Sequence, residues 1–218
     1  MIRWLLARRA DRLVRFLSPK LRSMCESDRP RVLDVGSGTG HNALALAAGE
    51  LDVIEVDVAD LHVVGAGPLL FDGERLPFDD DAFDAAMLLF VLHYPAAPDR
   101  LLRETLRVAG RVLVLQSTCL GVVGRRLLSV RESCLGRGGF CLARAAGYVA
   151  GGGESLRPTR YYSRESLSRL FEAAGGEVVA EWPWDSQFGV VRRDLYLLER
   201  DSKERAGRGH AVSHHSGL

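Results

Sequence analysis

From Arg31 onward, short apolar runs alternate with longer stretches of helical periodicity. The strand-like runs fall at 31–35, 53–57, 69–72, 85–92 and 111–116, and helices are predicted over 41–48 and 99–108. Such alternation implies βαβ units, hence a parallel sheet with helices on both faces. The unbroken apolar character of MLLFVL and RVLVLQ suits strands covered on both sides. Residues 118–160 differ: they are rich in glycine and arginine and weakly periodic, with helices predicted near 124–132 and 140–149. SRESLSRLFEAAG then reads as a helix with cap chemistry at Ser163 and a stop at Gly175. Two final strands are predicted at 177–181 and 195–199, followed by a polar tail.

At the N-terminus, Ile2, Leu5, Leu6, Leu13, Phe16 and Leu17 share one helical face, while Arg8, Asp11, Arg12 and Arg15 lie elsewhere. Two readings stay open: a helix packed on the domain, and a basic amphipathic helix resting peripherally on an anionic membrane. Arg8 and Arg9 cut the apolar stretch too early for a signal peptide, and no window approaches the roughly 20 apolar residues of a bilayer span. The chain thus divides into an N-terminal amphipathic helix (1–29), a main domain (30–200) containing the 118–160 insert, and a tail (201–218) expected to be disordered.

Length and composition fit one globular domain, and a net charge of +1 gives no global argument for nucleic acid. Only two of the 29 basic residues are lysine, a coding bias more than a function. Cys25, Cys119, Cys134 and Cys141 form no CxxC pair, which suggests reduced thiols in a cytoplasmic protein. His210, His214 and His215 lie in the tail without partner ligands, so no metal site is expected.

The densest signal is RVLDVGSGTGHNALALA, residues 31–47. Its glycines fit two frames. Gly38, Gly40 and Ala43, with Asp57 further on, can be set into the dinucleotide pattern of an NAD-dependent Rossmann oxidoreductase. Asp34, Gly36, Gly38 and Gly40 fit D-x-G-x-G-x-G, in which a carboxylate at the strand end would repel a diphosphate. That frame suits a ligand that is cationic at one end and carries no phosphate, as S-adenosylmethionine does. Asp57 closes the second strand, where a carboxylate can accept from both ribose hydroxyls. Asp72 closes the third, where it can accept from the adenine amine while the next backbone amide addresses the ring. Ligands of open α/β sheets collect outside the carboxyl ends of the strands, and three acids stand there in succession.

VLDVGSGTG, the acid in VIEVDVAD, FDGERLPFDDDAFDAAMLLFVLH and LLRETLRVAGRVLVL together resemble the class I S-adenosylmethionine-dependent methyltransferases. The nearest flavour is the small-molecule group that includes quinone-biosynthesis C-methyltransferases. The resemblance covers residues 31–116 well and continues loosely through YYSRESLSRLFEAAGGEVV. It implies a three-layer α/β/α sandwich around a Rossmann-like, seven-stranded, mostly parallel sheet with its last strand antiparallel. It also implies methionine-moiety binding at Asp34, Gly36, Gly38 and Gly40, ribose at Asp57, adenine at Asp72 and Gly73, and backbone contacts near Leu88. Three features depart from the pattern. Only fourteen residues separate Asp57 from Asp72, which reduces the usual second helix to about a turn. The turn after Arg107 keeps only Gly110, and Leu88 and Leu89 stand where a polar residue is common.

Methyl transfer from a sulfonium is an in-line displacement, and a base is needed only if the nucleophile must lose a proton. His93, after the fourth strand, stands where such a base would sit, with a packing or capping role as the alternative. Tyr94, Tyr161 and Tyr162 are candidates to line the acceptor pocket. The 118–160 insert leaves on the acceptor side and mixes leucines with Arg125, Arg126, Arg131, Arg137 and Arg144. It therefore reads as an acceptor lid for a small or lipid-like molecule with an apolar body and an anionic group. A non-catalytic, cofactor-binding regulator is a further reading. Nucleic-acid methylation is disfavoured, because VLHYP stands where a base-methylating motif would be.

Overall fold

The computed structural model describes residues 2–131, 160–187 and 189–201. Helix α1 (Ile2–Met24) leads into β1 (Arg31–Val35), α2 (His41–Ala47), β2 (Asp52–Asp57), β3 (Leu69–Leu70) and β4 (Ala85–Leu89). Then come α3 (Pro98–Ala109), β5 (Arg111–Cys119), α4 (Gly121–Arg131), α5 (Arg164–Ala173), β6 (Gly176–Gln187) and β7 (Val191–Arg200). The strands form one seven-stranded sheet in the order β3-β2-β1-β4-β5-β7-β6. β1 to β5 are parallel, while β7 lies antiparallel between β5 and β6.

Alternation along each strand splits the core in two. Leu33 and Val35 turn to the face covered by α3 and α5, where Leu102, Leu106 and Phe171 are buried. Val32, Ala85 and Met87 turn to the opposite face, against Leu13, Leu17 and Leu21 of α1 and Leu46 of α2. Helix α1 is therefore part of the fold, as the packed reading of the N-terminus expects. Its outer side keeps Trp4 56% exposed, with the Arg8 guanidinium 4.7 Å from the ring centroid. Among the described residues no helix is long and apolar enough to cross a membrane.

Several boundaries differ from expectation for local reasons. β4 stops at Leu89, not 92, because Phe90 adopts φ 62, a left-handed backbone that ends the extended run. α3 starts one residue early at Pro98, a residue suited to a first helical turn. β5 continues to Cys119 because all nine of its residues pair with β7, from Arg111↔Glu199 to Cys119↔Val191. β6 and β7 are far longer than predicted, since WPWDSQ joins the ladder up to Gln187↔Val191. Pro183 is tolerated there because β6 is an edge strand, where a missing donor breaks no ladder. α5 carries its reciprocal cap: Ser163 Oγ accepts from the Ser166 amide, and Ser166 Oγ accepts from the Ser163 amide. The helix predicted at 140–149, the greater part of the insert and the tail lie outside the described residues.

Two outcomes follow from this packing. Leu17 is fully buried between α1 and the sheet, so Leu17→Ala should lower unfolding free energy by about 2–5 kcal/mol in urea titration. A loosely resting arm would show almost no change. Burial pushes the Tyr162 and Tyr196 phenols up to about 12. A raised folded value stabilises below the unfolded phenol's range and is lost as pH climbs through 12. Absorbance titration should therefore show these two tyrosines ionising only together with alkaline unfolding.

Candidate active site

β1 and β4 are neighbours, yet their following helices leave to opposite faces: α2 to one, α3 to the other. The crevice at their carboxyl ends is a cavity of about 710 Å3. Its floor is the turn 36–40. Gly36, Gly38 and Gly40 all have positive φ (75, 59 and 77), and the turn is pinned to β2 by Gly36 N–H and Ser37 N–H donating to Val56 O at 2.8 and 3.3 Å. A side chain at Gly36 would meet Val91 Cγ2 at 2.7 Å, and one at Gly40 would meet Val64 O at 2.5 Å. At Gly38 no atom lies within 4 Å, so its empty side faces the cavity.

Asp57 lines the cavity with both oxygens engaged by backbone. Oδ2 accepts from Gly38 N–H at 2.9 Å, and Oδ1 accepts from Val58 N–H at 2.7 Å and Ala59 N–H at 3.4 Å. A carboxylate has about four acceptor positions, so one remains on Oδ2 for a ligand hydroxyl. The bidentate grip expected on both ribose hydroxyls thus meets a partly occupied group. Asp72 also lines the cavity, at a turn where its Oδ1 accepts from the amides of Arg75 and Glu74, each at 2.8 Å. Those bonds hold its carboxyl below the usual aspartate range and its charge in place. Gly73 follows with φ 83, its missing side chain making room for Val58 Cγ1 at 3.1 Å.

The remaining expected residues divide. Tyr94 lines the cavity. Leu88 does not; it is fully buried in the core, and Leu89, Phe90 and Val91 bring the chain to the ligand space instead. His93 is also outside the lining, 6% exposed, with Nδ1 2.6 Å from Gln116 Nε2 of β5. The amide donates there, so the neutral imidazole carries its proton on Nε2 and Nδ1 is already used. Tyr161 packs against Cys119, Leu128 and Val191. Tyr162 is core, its hydroxyl donating to Leu92 O at 2.8 Å. Both tie the chain after the insert to β5, and neither reaches the cavity. Gly40, which ends the turn, and Asp34, which precedes it, are not part of the lining.

Asp34 is 1% exposed and projects from β1 in register with Glu55 of β2. Its Oδ2 finds no hydrogen-bond partner among the described residues. Burial, then the Glu55 and Asp57 carboxyls, drive it well above the usual range. Its own charge is therefore suppressed, and the acid face a diphosphate would meet is that of Asp57, Asp72 and Glu74 on the lining. Residues that sequence reasoning passed over also belong here: Ser37, Glu55 and His62 under the turn, and Leu6, Arg9, Ala10 and Leu13 of α1 on the wall. The signal for Glu55 was a charge inside a buried apolar strand, VIEVD. For α1 it was the helix's own apolar face.

S-adenosylmethionine fits what is present. Gly38 gives room on the turn, Asp57 keeps a free acceptor, and Asp72 is a fixed anion.

Residues 33–111 match the methyltransferase domain family. The ubiquinone/menaquinone biosynthesis C-methyltransferase UbiE of Idiomarina loihiensis is 30% identical over 172 residues, 68% of this chain and 67% of that protein. The demethylmenaquinone methyltransferase of Clavibacter sepedonicus is 34% identical over 99 residues, 39% of this chain but only 40% of that protein's length. Among solved structures, magnesium protoporphyrin IX methyltransferase from Synechocystis PCC 6803, with bound SAH, superposes with a TM-score of 0.55 at 15% identity, over 89% of this chain and 83% of that one. The [4+2]-cyclase SpnF gives 0.60 at 19% identity, over 88% and 80%. These two likenesses show the fold alone. With the domain match running from inside β1 to the start of β5, and a 30% identical relative covered over two thirds of its length, the chain belongs to the class I S-adenosylmethionine-dependent methyltransferases.

Proposed function

We propose that the protein transfers a methyl group from S-adenosylmethionine to a small or lipid-like acceptor with an apolar body. One observation carries this reading: a single cavity joins the glycine turn and two strand-end acids to an apolar wall from α1 and the β4 end. Its size of about 710 Å3 lies within the roughly 300–1,000 Å3 typical of ligand pockets. Curated relatives named for quinone biosynthesis support an acceptor of this kind.

When bound, S-adenosylmethionine supplies a methyl group on a cationic sulfur that departs as a neutral thioether. The chain's part is positional. Gly38 N–H holds Asp57 Oδ2 in place, so the carboxylate presents its remaining acceptor position to a ligand hydroxyl. Asp72 is fixed by two amides for the adenine end, beside the open backbone of Gly73. Leu6, Ala10 and Leu13 exclude water from one side, and Phe90 and Val91 from the other. Holding reactants in line contributes about 7–11 kcal/mol in favourable intramolecular cases, enough to be the main catalytic device. His93 is engaged by Gln116, so this reading favours an acceptor whose nucleophile is already ionised or needs no base.

Two finer proposals rest on single features. The exposed Trp4–Arg8 pair supports peripheral contact with an anionic membrane, and the free thiols of Cys25 and Cys119 support a reducing, cytoplasmic setting.

Calorimetry should show S-adenosylhomocysteine binding and no uptake of NAD. Asp57→Asn should weaken that binding by about tenfold to a hundredfold, as losing a charged hydrogen-bond partner does. Uptake of NAD without a response to S-adenosylhomocysteine would overturn the assignment. Incubation with methyl-labelled cofactor should label quinols or aromatic acids in preference to proteins or small cations. Tight cofactor binding with no labelled product would favour the regulatory reading instead.

A further inference from the structure

The connection between β2 and β3 contains no helix, although parallel neighbours in such sheets are usually bridged by one. Residues 58–68 fold back over the glycine turn instead. Val63 N–H donates to Thr39 O at 3.2 Å, and His62 Nε2 stands 3.1 Å from Ser37 Oγ. The approach is close enough that a side chain at Gly40 would meet the His62 ring at 3.1 Å and Val64 O at 2.5 Å. The same His62 Nε2 lies 3.2 Å from Glu55 Oε1, with the two side chains 5% and 16% exposed.

We infer that His62 is a positioning residue for the donor-binding turn, anchored by Glu55 and doing the work of the absent helix. This rests on the reading of the cavity as a site for S-adenosylmethionine.

The local chemistry supports a specific arrangement. His62 Nδ1 is buried without a hydrogen-bond partner among the described residues, which leaves Nε2 as the nitrogen that makes contacts. With the proton on Nε2, the ring donates to Ser37 Oγ, while Glu55 Oε1, which makes no hydrogen bond among the described residues, stands 3.2 Å from the same nitrogen as an electrostatic neighbour, and the turn is tied to β2 through a side chain. The attraction to Glu55 is strong only while that carboxyl is ionised. Burial pushes Glu55 up to about 7, while desolvation holds His62 below its usual value against the pull of Asp60 and Asp57. Asp34 of β1 stands in register with Glu55, and the charged or titratable groups of α1 and α2 nearest the turn, Arg9 and His41, line the cavity beside it. Elsewhere α1 and α2 present apolar residues to this face at Leu13, Leu17 and Leu46. As pH falls through about 7, Glu55 takes up a proton, its grip on the imidazole weakens and the turn loosens.

The test uses the full chain and S-adenosylhomocysteine as probe, titrated calorimetrically at pH 5.5, 6.5 and 7.5. Wild type should bind best at pH 7.5 and lose about three- to tenfold in affinity per unit below 7, the range allowed for one linked proton. His62→Ala should lose about tenfold or more at pH 7.5. Glu55→Gln presents a neutral acceptor that does not titrate, so it should bind at pH 7.5 about as weakly as wild type does at pH 5.5 and show a flattened pH profile. That flattening distinguishes positioning from bulk stability, and it carries the test if His62→Ala does not fold. A wild type that fails to bind the probe overturns the donor-site reading and this inference with it. A wild type that binds, with His62→Ala within twofold of it or Glu55→Gln keeping the full pH slope, overturns the positioning role alone.

Discussion

Between Val35 and His41 the chain leaves a buried strand and enters a helix on one face of the sheet, and it does so through three left-handed backbone positions. Only glycine takes these without strain, but backbone freedom is half the reason. At Gly36 the absent side chain is room for Val91, the segment that ends β4. At Gly40 it is room for Val64, the connection after β2. Those two glycines let neighbouring chain close in beneath and beside the turn. Gly38 differs, for nothing fills its empty side except the cavity. The turn is therefore packed tight at two points and open at the third, which presents a rigid floor to the ligand.

Legibility followed burial. β1 was readable to the residue because RVLDV is apolar on both faces and is bounded by Pro30 and Gly36. The end of β4 was not, because LLFVLH stays apolar past the point where Phe90 turns left-handed, a conformation set by tertiary packing. WPWDSQ looked like a loop because an edge strand has a solvated side that tolerates proline and charge. Asp185 and Arg193 pair across that hairpin at 3.1 Å, a contact between segments that no local pattern announces.

The site was legible where the fold rule alone decides position. Asp57, Asp72, Gly73 and Tyr94 follow strand ends at the carboxyl edge and line the cavity. It was illegible where facing decides. Asp34 lies two residues before Gly36, but its side chain leaves β1 toward the face that α1 and α2 cover, as its in-register neighbour Glu55 does. His93 is next to Tyr94 in sequence, yet one meets Gln116 in the interior and the other meets the ligand space. Spacing could place both pairs near the crevice and could not tell inside from behind.

This displacement of Asp34 changes why the cavity suits a cationic donor. A buried carboxyl driven toward its neutral form neither repels a diphosphate strongly nor attracts a cation at distance. The acids that face a ligand are Asp57 and Asp72, whose oxygens are held by backbone amides and so stay fixed at the crevice edge. Asp34 and Glu55 form a second tier below, Asp34 driven toward its neutral form and Glu55 raised to about 7 by burial. Folding works against that tier: ionising Glu55 above about 7 sets a buried charge beside Asp34, and stability falls as pH rises through that value. A ligand carrying an ammonium and a sulfonium opposes this penalty, whereas a nicotinamide dinucleotide, with its diphosphate, would deepen it.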